Sequence, residues 1–238
     1  MKEDRCPFLE IATVTFCKAF PVKKLIPVDR AVPTQGVCGN ERFRECPAYR
    51  EIHDPKSPAE SRRGFLLRPD LYLHPRHLWV SLSPEAGGEA RVGIDDFAQK
   101  LIGRLDRLAV PSEGSPVREN SVCLLAHSGK RSVRMVSPLD GSIQAVNRSA
   151  CADPSVINRD PYGEGWIFSM HPAAGEGIRN LMHGSVAEKW LDWEVERLQR
   201  MFTADLGITA TDGGEPLTDL SGRLTEAQWS RIVSLFLG

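Results

Sequence analysis

The chain lacks an excess of charge of either sign. Thirty Lys and Arg stand against 31 Asp and Glu, a formal net charge of −1 over 238 residues. A protein that holds nucleic acid through its overall field is basic, so no nucleic-acid partner is expected. No apolar run is long enough to span a bilayer, so no membrane partner is expected. The opening MKEDRCPFLE mixes acids and bases and lacks the long apolar core of a secretory signal, which makes the cytoplasm the default compartment. There is no C-x-x-C pair, which excludes the zinc-ribbon and ferredoxin spacings.

What is present fits a globular protein. Hydrophobic residues make up 41% and charged residues 26%. The length allows one or two domains with a real core. Seventeen prolines and 20 glycines favour turns and β-structure over a helical bundle.

Three segments follow from the pattern. Residues 1–63 are punctuated by cysteine and proline, with a short strand-like run at Glu10 to Phe16 and a polar, proline-containing stretch from His53 to Gly64 that reads as a linker. Residues 64–183 read as many short strands: HLWVSLS, RVGI, RLAVP, SVCLLAH, SVRMVSP and SIQAVN. One short amphipathic helix, DDFAQKLIGRL, interrupts them, and Asp140-Gly141 in LDGS signals a further hairpin. Strands this short and closely spaced predict a small barrel or sandwich. Residues 184–238 switch to helical period. SVAE (Ser185 to Glu188) and TEAQ (Thr225 to Gln228) read as capping boxes. Behind them, Ala187, Leu191, Val195, Leu198 and Phe202 form one apolar face, and Trp229, Ile232, Val233 and Phe236 another that is expected to dock on the body.

Of six cysteines, four fall in the first fifth of the chain: Cys6, Cys17, Cys38 and Cys46. In a reducing compartment such a cluster is more often a metal site than a disulfide framework. The gaps of ten, twenty and seven residues are wide. If the fold gathers them, four thiolates close a tetrahedral zinc site or hold a [4Fe–4S] cluster, with His53 as a substitute ligand. The alternative is four buried or free thiols packing as small hydrophobes. Cys123 sits inside an expected strand as a core residue, and Cys151 has no assigned role.

The most informative stretch is HSGKRSVRMVSP, His127 to Pro138. It is not a phosphate loop: Leu124 stands where that motif needs glycine, Arg131 where it needs Ser or Thr, and the flanks are strand on both sides. It reads as a hairpin, with Val122, Leu124 and Ala126 turned inward on the approach and Val133 and Met135 on the return. Ser128-Gly129-Lys130-Arg131 is then the turn, Gly129 supplies positive φ, and Lys130 stands at an exposed tip. Most lysines in such turns are only solvated; a lysine that carries a swinging cofactor needs the same reach and access. No convincing catalytic set is present, since the adjacent His127 and Ser128 alone do not make a nucleophile and base.

Four motifs in order decide between these readings. LHPRHLWV, RVGIDDFAQ, GKRSVRMVSPLDGSIQAVN and VINRDPYGEGWIFSMHP resemble the H protein of the glycine cleavage system over about half the chain. His77, Trp79 and Val80 match the family's His-x-Trp-Val strand. Gly93, Ile94, Asp96, Ala98 and Gln99 match its Gly-Ile-Thr-Asp-Tyr-Ala-Gln segment, with Phe97 in place of tyrosine. Ser137, Pro138 and Gly141 match the end of its attachment hairpin. Asn158, Asp160, Pro161, Tyr162, Gly163, Gly165 and Trp166 match its Asn-x-Asp-Pro-Tyr-Gly-x-Gly-Trp segment.

The resemblance implies a mainly β barrel-sandwich hybrid fold of lipoyl-domain type, here with flanking helices and a small N-terminal Cys-rich module. The family's attachment lysine stands eight residues before that proline, as Lys130 does before Pro138, so the resemblance makes Lys130 the lipoyl-lysine. It implies a carrier rather than an enzyme, with a lipoate-attaching enzyme and glycine-cleavage-type or other lipoyl-dependent enzymes as partners. The alternative is a metal-binding redox or interaction protein with an unmodified H-like scaffold. The loop departs from the family where Arg131 and Arg134 make it basic; the family usually has small and acidic residues there. Opposite charge implies altered recognition.

Overall fold

Alternation of buried with half-buried or exposed residues along 124–127 and 132–135 gives the central hairpin one face for the core and one for solvent. A computed structural model of the chain describes residues 15–17, 24–26, 59–83, 88–173, 177–205 and 224–238. The chain divides into two units, Met1–Glu51 and Ile52–Gly238. In the first, β1 (Thr15–Cys17) pairs antiparallel with β2 (Lys24–Ile26).

The second unit is built on two antiparallel sheets. Its strands are β3 (Glu60–Arg62), β4 (Phe65–Leu67), β5 (Tyr72–Leu73), β6 (Leu78–Ser83), β7 (Glu89–Ile94), β8 (Arg107–Ala109), β9 (Pro116–Val117), β10 (Val122–Ser128), β11 (Arg131–Val136), β12 (Gly141–Val146) and β13 (Trp166–Pro172). One sheet runs β5-β6-β7-β13-β12-β9 and the other β11-β10-β8, with β3 and β4 as a separate hairpin. Inward residues of both sheets, including Val80, Val92, Phe168 and Met170 from one and Leu124, Ala126, Val133 and Met135 from the other, share a single core. The strand pattern predicts a small barrel or sandwich, and this is the barrel-sandwich arrangement the family resemblance implies.

Helix α1 (Asp96–Ile102) knits three of the four motifs together. Asp95 caps it through Oδ1, which accepts from Ala98 N–H at 2.8 Å. The other oxygen of Asp95 takes His77 Nδ1–H at 2.8 Å. His77 is fully buried in a left-handed conformation (φ 61), its ring stacked on Phe97 at 4.3 Å and against Trp190 at 4.8 Å. Asp96 accepts from Leu66 N–H at 2.6 Å and from Lys100 Nζ at 2.9 Å. Tyr162 accepts the Asp96 N–H and donates its hydroxyl to Leu66 O. Asn158 donates to Gln99 Oε1 and Gly103 O and accepts from Leu105 N–H. Trp79 Nε1 donates to Pro161 O at 2.9 Å, which ties β6 to the Asp-Pro-Tyr loop.

Two short helices, α2 (Arg148–Ala152) and α3 (Ser155–Arg159), precede that loop, and α4 (Ser185–Asp205) follows β13. Ala187, Leu191, Val195 and Leu198 of α4 are buried as the periodicity predicts, and Phe202 is half-buried. The last helix, α5 (Glu226–Ile232), opens on the predicted Thr225–Gln228 capping box and continues through one wider turn, Val233–Leu237. Trp229, Ile232 and Phe236 enter the core, with Phe236 5.6 Å from Phe97, so this stripe docks as expected.

Four local expectations are corrected. The stretch read as a linker ends in β3, which pairs with β4 across a tight Arg63-Gly64 turn with φ 48 and 85. Arg62 of β3 donates to Asp192 and Glu188 of α4, and this takes Glu188 from the capping box expected of SVAE; Ser185 is already the first residue of the helix. Asp140-Gly141 does not close a hairpin: β11 and β12 belong to different sheets, and the turn carries the chain between them. Val122 does not face inward, because the register shifts between Val122 and Leu124, leaving Val122 57% exposed and Cys123 buried.

A Cβ on Gly93 would lie 2.5 Å from the Trp79 indole, so Gly93→Ala is expected to lower stability by about 1–3 kcal/mol in denaturant unfolding. Burial lowers His74 from its ordinary value to about 4, against the raising effect of a hydrogen bond with Asn120. The unfolded chain then takes up this proton near pH 6.5, before the folded one does. Stability held above that pH is lost as pH falls towards 4, by about 3 kcal/mol. His74→Gln is expected to flatten that slope in unfolding curves measured across the window.

Candidate functional site: the Lys130 hairpin

Strands β10 and β11 pair from Leu124↔Met135 to Ser128↔Arg131, which leaves a turn of two residues, Gly129 and Lys130. Gly129 has φ 59 and Lys130 does not have a positive φ, the pattern of a type II′ turn, whose twist suits a tight hairpin. The turn is pinned from the side. Gly129 N–H donates to Asp106 Oδ2 at 2.6 Å, and Asp106 N–H donates to His127 O at 3.0 Å. Lys130 is exposed at the tip, and among the described residues no acceptor holds its Nζ. A free amine on a fixed base is what amide attachment of a long acyl arm requires, so the residues present fit a lipoyl group.

At the far end of β11, Ser137 N–H donates to Ser121 O and the Ser137 hydroxyl to Leu139 O, while Pro138 has no N–H with which to extend the ladder. Ser-Pro therefore fixes where the return strand stops, and with it the register of the lysine.

Arg131 departs from its expected role. Its guanidinium donates to Glu226 Oε1 through Nε at 3.0 Å and Nη2 at 2.9 Å, and to Leu224 O at 2.6 Å. It also lies over the Trp229 ring at 5.1 Å. The residue after the lysine is thus bound by the start of α5, and the Glu226 carboxylate offsets its charge. Arg134 and Arg107 remain exposed, with Arg107 Nη2 donating to His127 Nδ1 at 3.3 Å. An open polar cleft beside the turn is lined by Arg104, Asp106, Ser128, Gly129, Asp153 and Ser155.

The sequence reading missed Asp106 and Glu226. Asp106 sits just before a strand with no motif around it. Glu226 is 95 residues from its partner, and no local signal links the two.

Among the cysteines, Cys17 closes β1 opposite Lys24. Cys6, Cys38, Cys46 and His53 lie outside the described residues. Among the described residues, no group of three His, Cys, Asp or Glu side chains is placed to hold a metal. Cys123 is buried, as expected, and burial pushes its thiol up to about 12, against the lowering effect of a hydrogen bond with Ser137. Cys151 is raised by burial as well, so neither thiol is activated as a nucleophile. Among the described residues, no helix is long and apolar enough to cross a membrane.

The family model described as Glycine cleavage H-protein matches residues 71–194. A glycine cleavage system H protein of Aeromonas hydrophila is 35% identical over 118 residues, covering 50% of this chain and 90% of the relative. A probable glycine cleavage system H protein of Aeropyrum pernix is 39% identical over 106 residues, 44% of this chain and 72% of the relative. A crystal structure of a glycine cleavage system H protein from Mycobacterium marinum aligns with TM-score 0.47 and 31% identity, over 54% of this chain and 99% of that one. The matched span contains the hairpin, its pinning aspartate and the motif residues that clasp α1, and it ends inside α4. On that sequence match, the chain belongs to the glycine cleavage H-protein family.

Proposed function

We propose that the protein is a lipoyl carrier in which Lys130 Nζ forms an amide with lipoate, and that it shuttles a group or electrons between partner enzymes in the cytoplasm. The observation that carries this reading is the placement of Lys130: exposed, at the second position of a two-residue turn, eight residues before Pro138, within the span that matches the family. When bound, the lipoyl group supplies dithiolane redox and group-transfer chemistry. The chain's own residues do the holding. Gly129 gives the turn its sharp reversal, Asp106 fixes the turn's backbone, and the Arg131 contact with Glu226 and Leu224 steadies the return strand. None of them moves a proton or attacks a substrate, in keeping with a carrier that relies on high local concentration between partners. The partners in this reading are a lipoate-attaching enzyme and enzymes of the glycine-cleavage type or another lipoyl-dependent system.

Intact mass with peptide mapping, on protein made with its native lipoylation machinery, tests the assignment. A mass increment of one lipoyl group on the peptide containing Lys130, absent from Lys130→Arg, is the expected result. An unmodified Lys130 overturns it.

The N-terminal cysteines remain a separate proposal, resting on four thiols in one short segment: Cys6, Cys17, Cys38 and Cys46 hold zinc or a [4Fe–4S] cluster. Anaerobically purified protein is expected to contain stoichiometric zinc or iron that Cys38→Ser and Cys46→Ser lose. Metal-free protein removes the idea.

A further inference from the structure

The three-stranded sheet that presents Lys130 has one face in the core and one in solvent. Register sets His127 beside Ser132 on one side and Arg107 on the other, and Leu125 beside Arg134 and Ala109. Side chains alternate along a strand, so these six positions share the outer face, opposite buried Leu124, Ala126, Val133 and Met135. No Asp or Glu occurs in β8, β10 or β11. Of the carboxylates at the margin, Glu226 is paired with Arg131, and Asp106 accepts the Gly129 N–H, which orients it without cancelling its charge. Among the described residues, neither Arg107 nor Arg134 meets a carboxylate, and both are exposed. Neither guanidinium fills the core, so packing does not account for this sign of charge. Acylation of Lys130 would remove its own charge, leaving Arg107 and Arg134 as cations of this outer face without a carboxylate partner among the described residues.

We propose that this outer face is a docking surface for a protein partner that presents an acidic rim around the opening through which the Lys130 side chain passes. The inference rests on the reading of Lys130 as the carrier lysine and adds the chemistry of what meets it. Complementary charge steers encounter and fixes orientation, and it does so in a salt-dependent way because such fields are screened within about 10 Å at 0.1 M ionic strength. Arg131, held under α5, belongs to the fold rather than to this surface.

The test uses the full chain and the lipoate-attaching enzyme of the same organism, with lipoyl incorporation followed by intact mass at low and high ionic strength. The double variant Arg107→Glu, Arg134→Glu is expected to lower kcat/KM by about tenfold, chiefly through KM, and to lose most of the salt dependence. Arg200→Glu, a charge reversal on α4, is expected to leave both unchanged. Thermal melts establish that each variant is folded. A folded double variant modified at the wild-type rate, with the wild-type salt dependence, overturns the proposal. If the wild-type chain accepts no lipoyl group, it is the carrier reading that fails. The face is then judged by NMR titration with poly-glutamate. Shifts confined to residues 107, 125–127 and 132–134 that vanish in the double variant uphold an acid-binding surface, and scattered or absent shifts overturn it.

Discussion

Two adjacent buried carboxylates, Asp95 and Asp96, hold the corner on which the sheet, the first helix and the β3–β4 hairpin close. Burying a charge costs several kcal/mol unless hydrogen bonds and an opposite charge offset it. Here each oxygen is used: Asp95 joins the start of α1 to His77, while Asp96 joins β4, Lys100 and Gln99. This saturation accounts for a histidine in a left-handed conformation, which costs about 1–2 kcal/mol and persists where its surroundings leave no alternative. With the corner set, α1 holds Asn158, and Tyr162 and Trp79 draw the Asp-Pro-Tyr loop onto the sheet.

The lysine hairpin stands on this frame, and two contacts from outside its own strands make it rigid. One is Asp106 against the turn's backbone, and the other is the clamp of α5 on Arg131. The second lies beyond the span shared with the family, since the match ends at residue 194. The final helix also shares the barrel's core through Ile232, Phe236 and Leu237. Its contact with the hairpin is therefore part of the same folding unit and not an appended tail.

Much of this was legible because the relevant signals are local. The hairpin, its two-residue turn and its Ser-Pro stop follow from alternation, one glycine and one missing N–H. The helical faces of α4 and α5 follow from period alone, and four ordered motifs identify the fold. The misreadings occur where a distant contact outweighs a local preference. Glu188 leaves its own helix end for Arg62, 126 residues away in sequence. Asp140-Gly141 makes a turn as its composition demands, but the two-sheet topology decides that the flanking strands do not pair. The shift that turns Val122 outward breaks an alternation that sequence can only assume to be regular. In sequence Arg131 reads as part of an exposed basic loop because nothing near it reveals the Glu226 carboxylate.

The type II′ turn has one more consequence. Both ends of the loop are paired and its only glycine is anchored, so backbone motion adds almost nothing to the reach of whatever Lys130 carries. An acyl arm attached there would behave as a boom on a fixed mast: its radius would be the covalent length of side chain and acyl group, and its sweep would be limited by the sheet beneath. Delivery to an acceptor would then depend on how the two proteins are oriented, not on how long a loop takes to find the right shape.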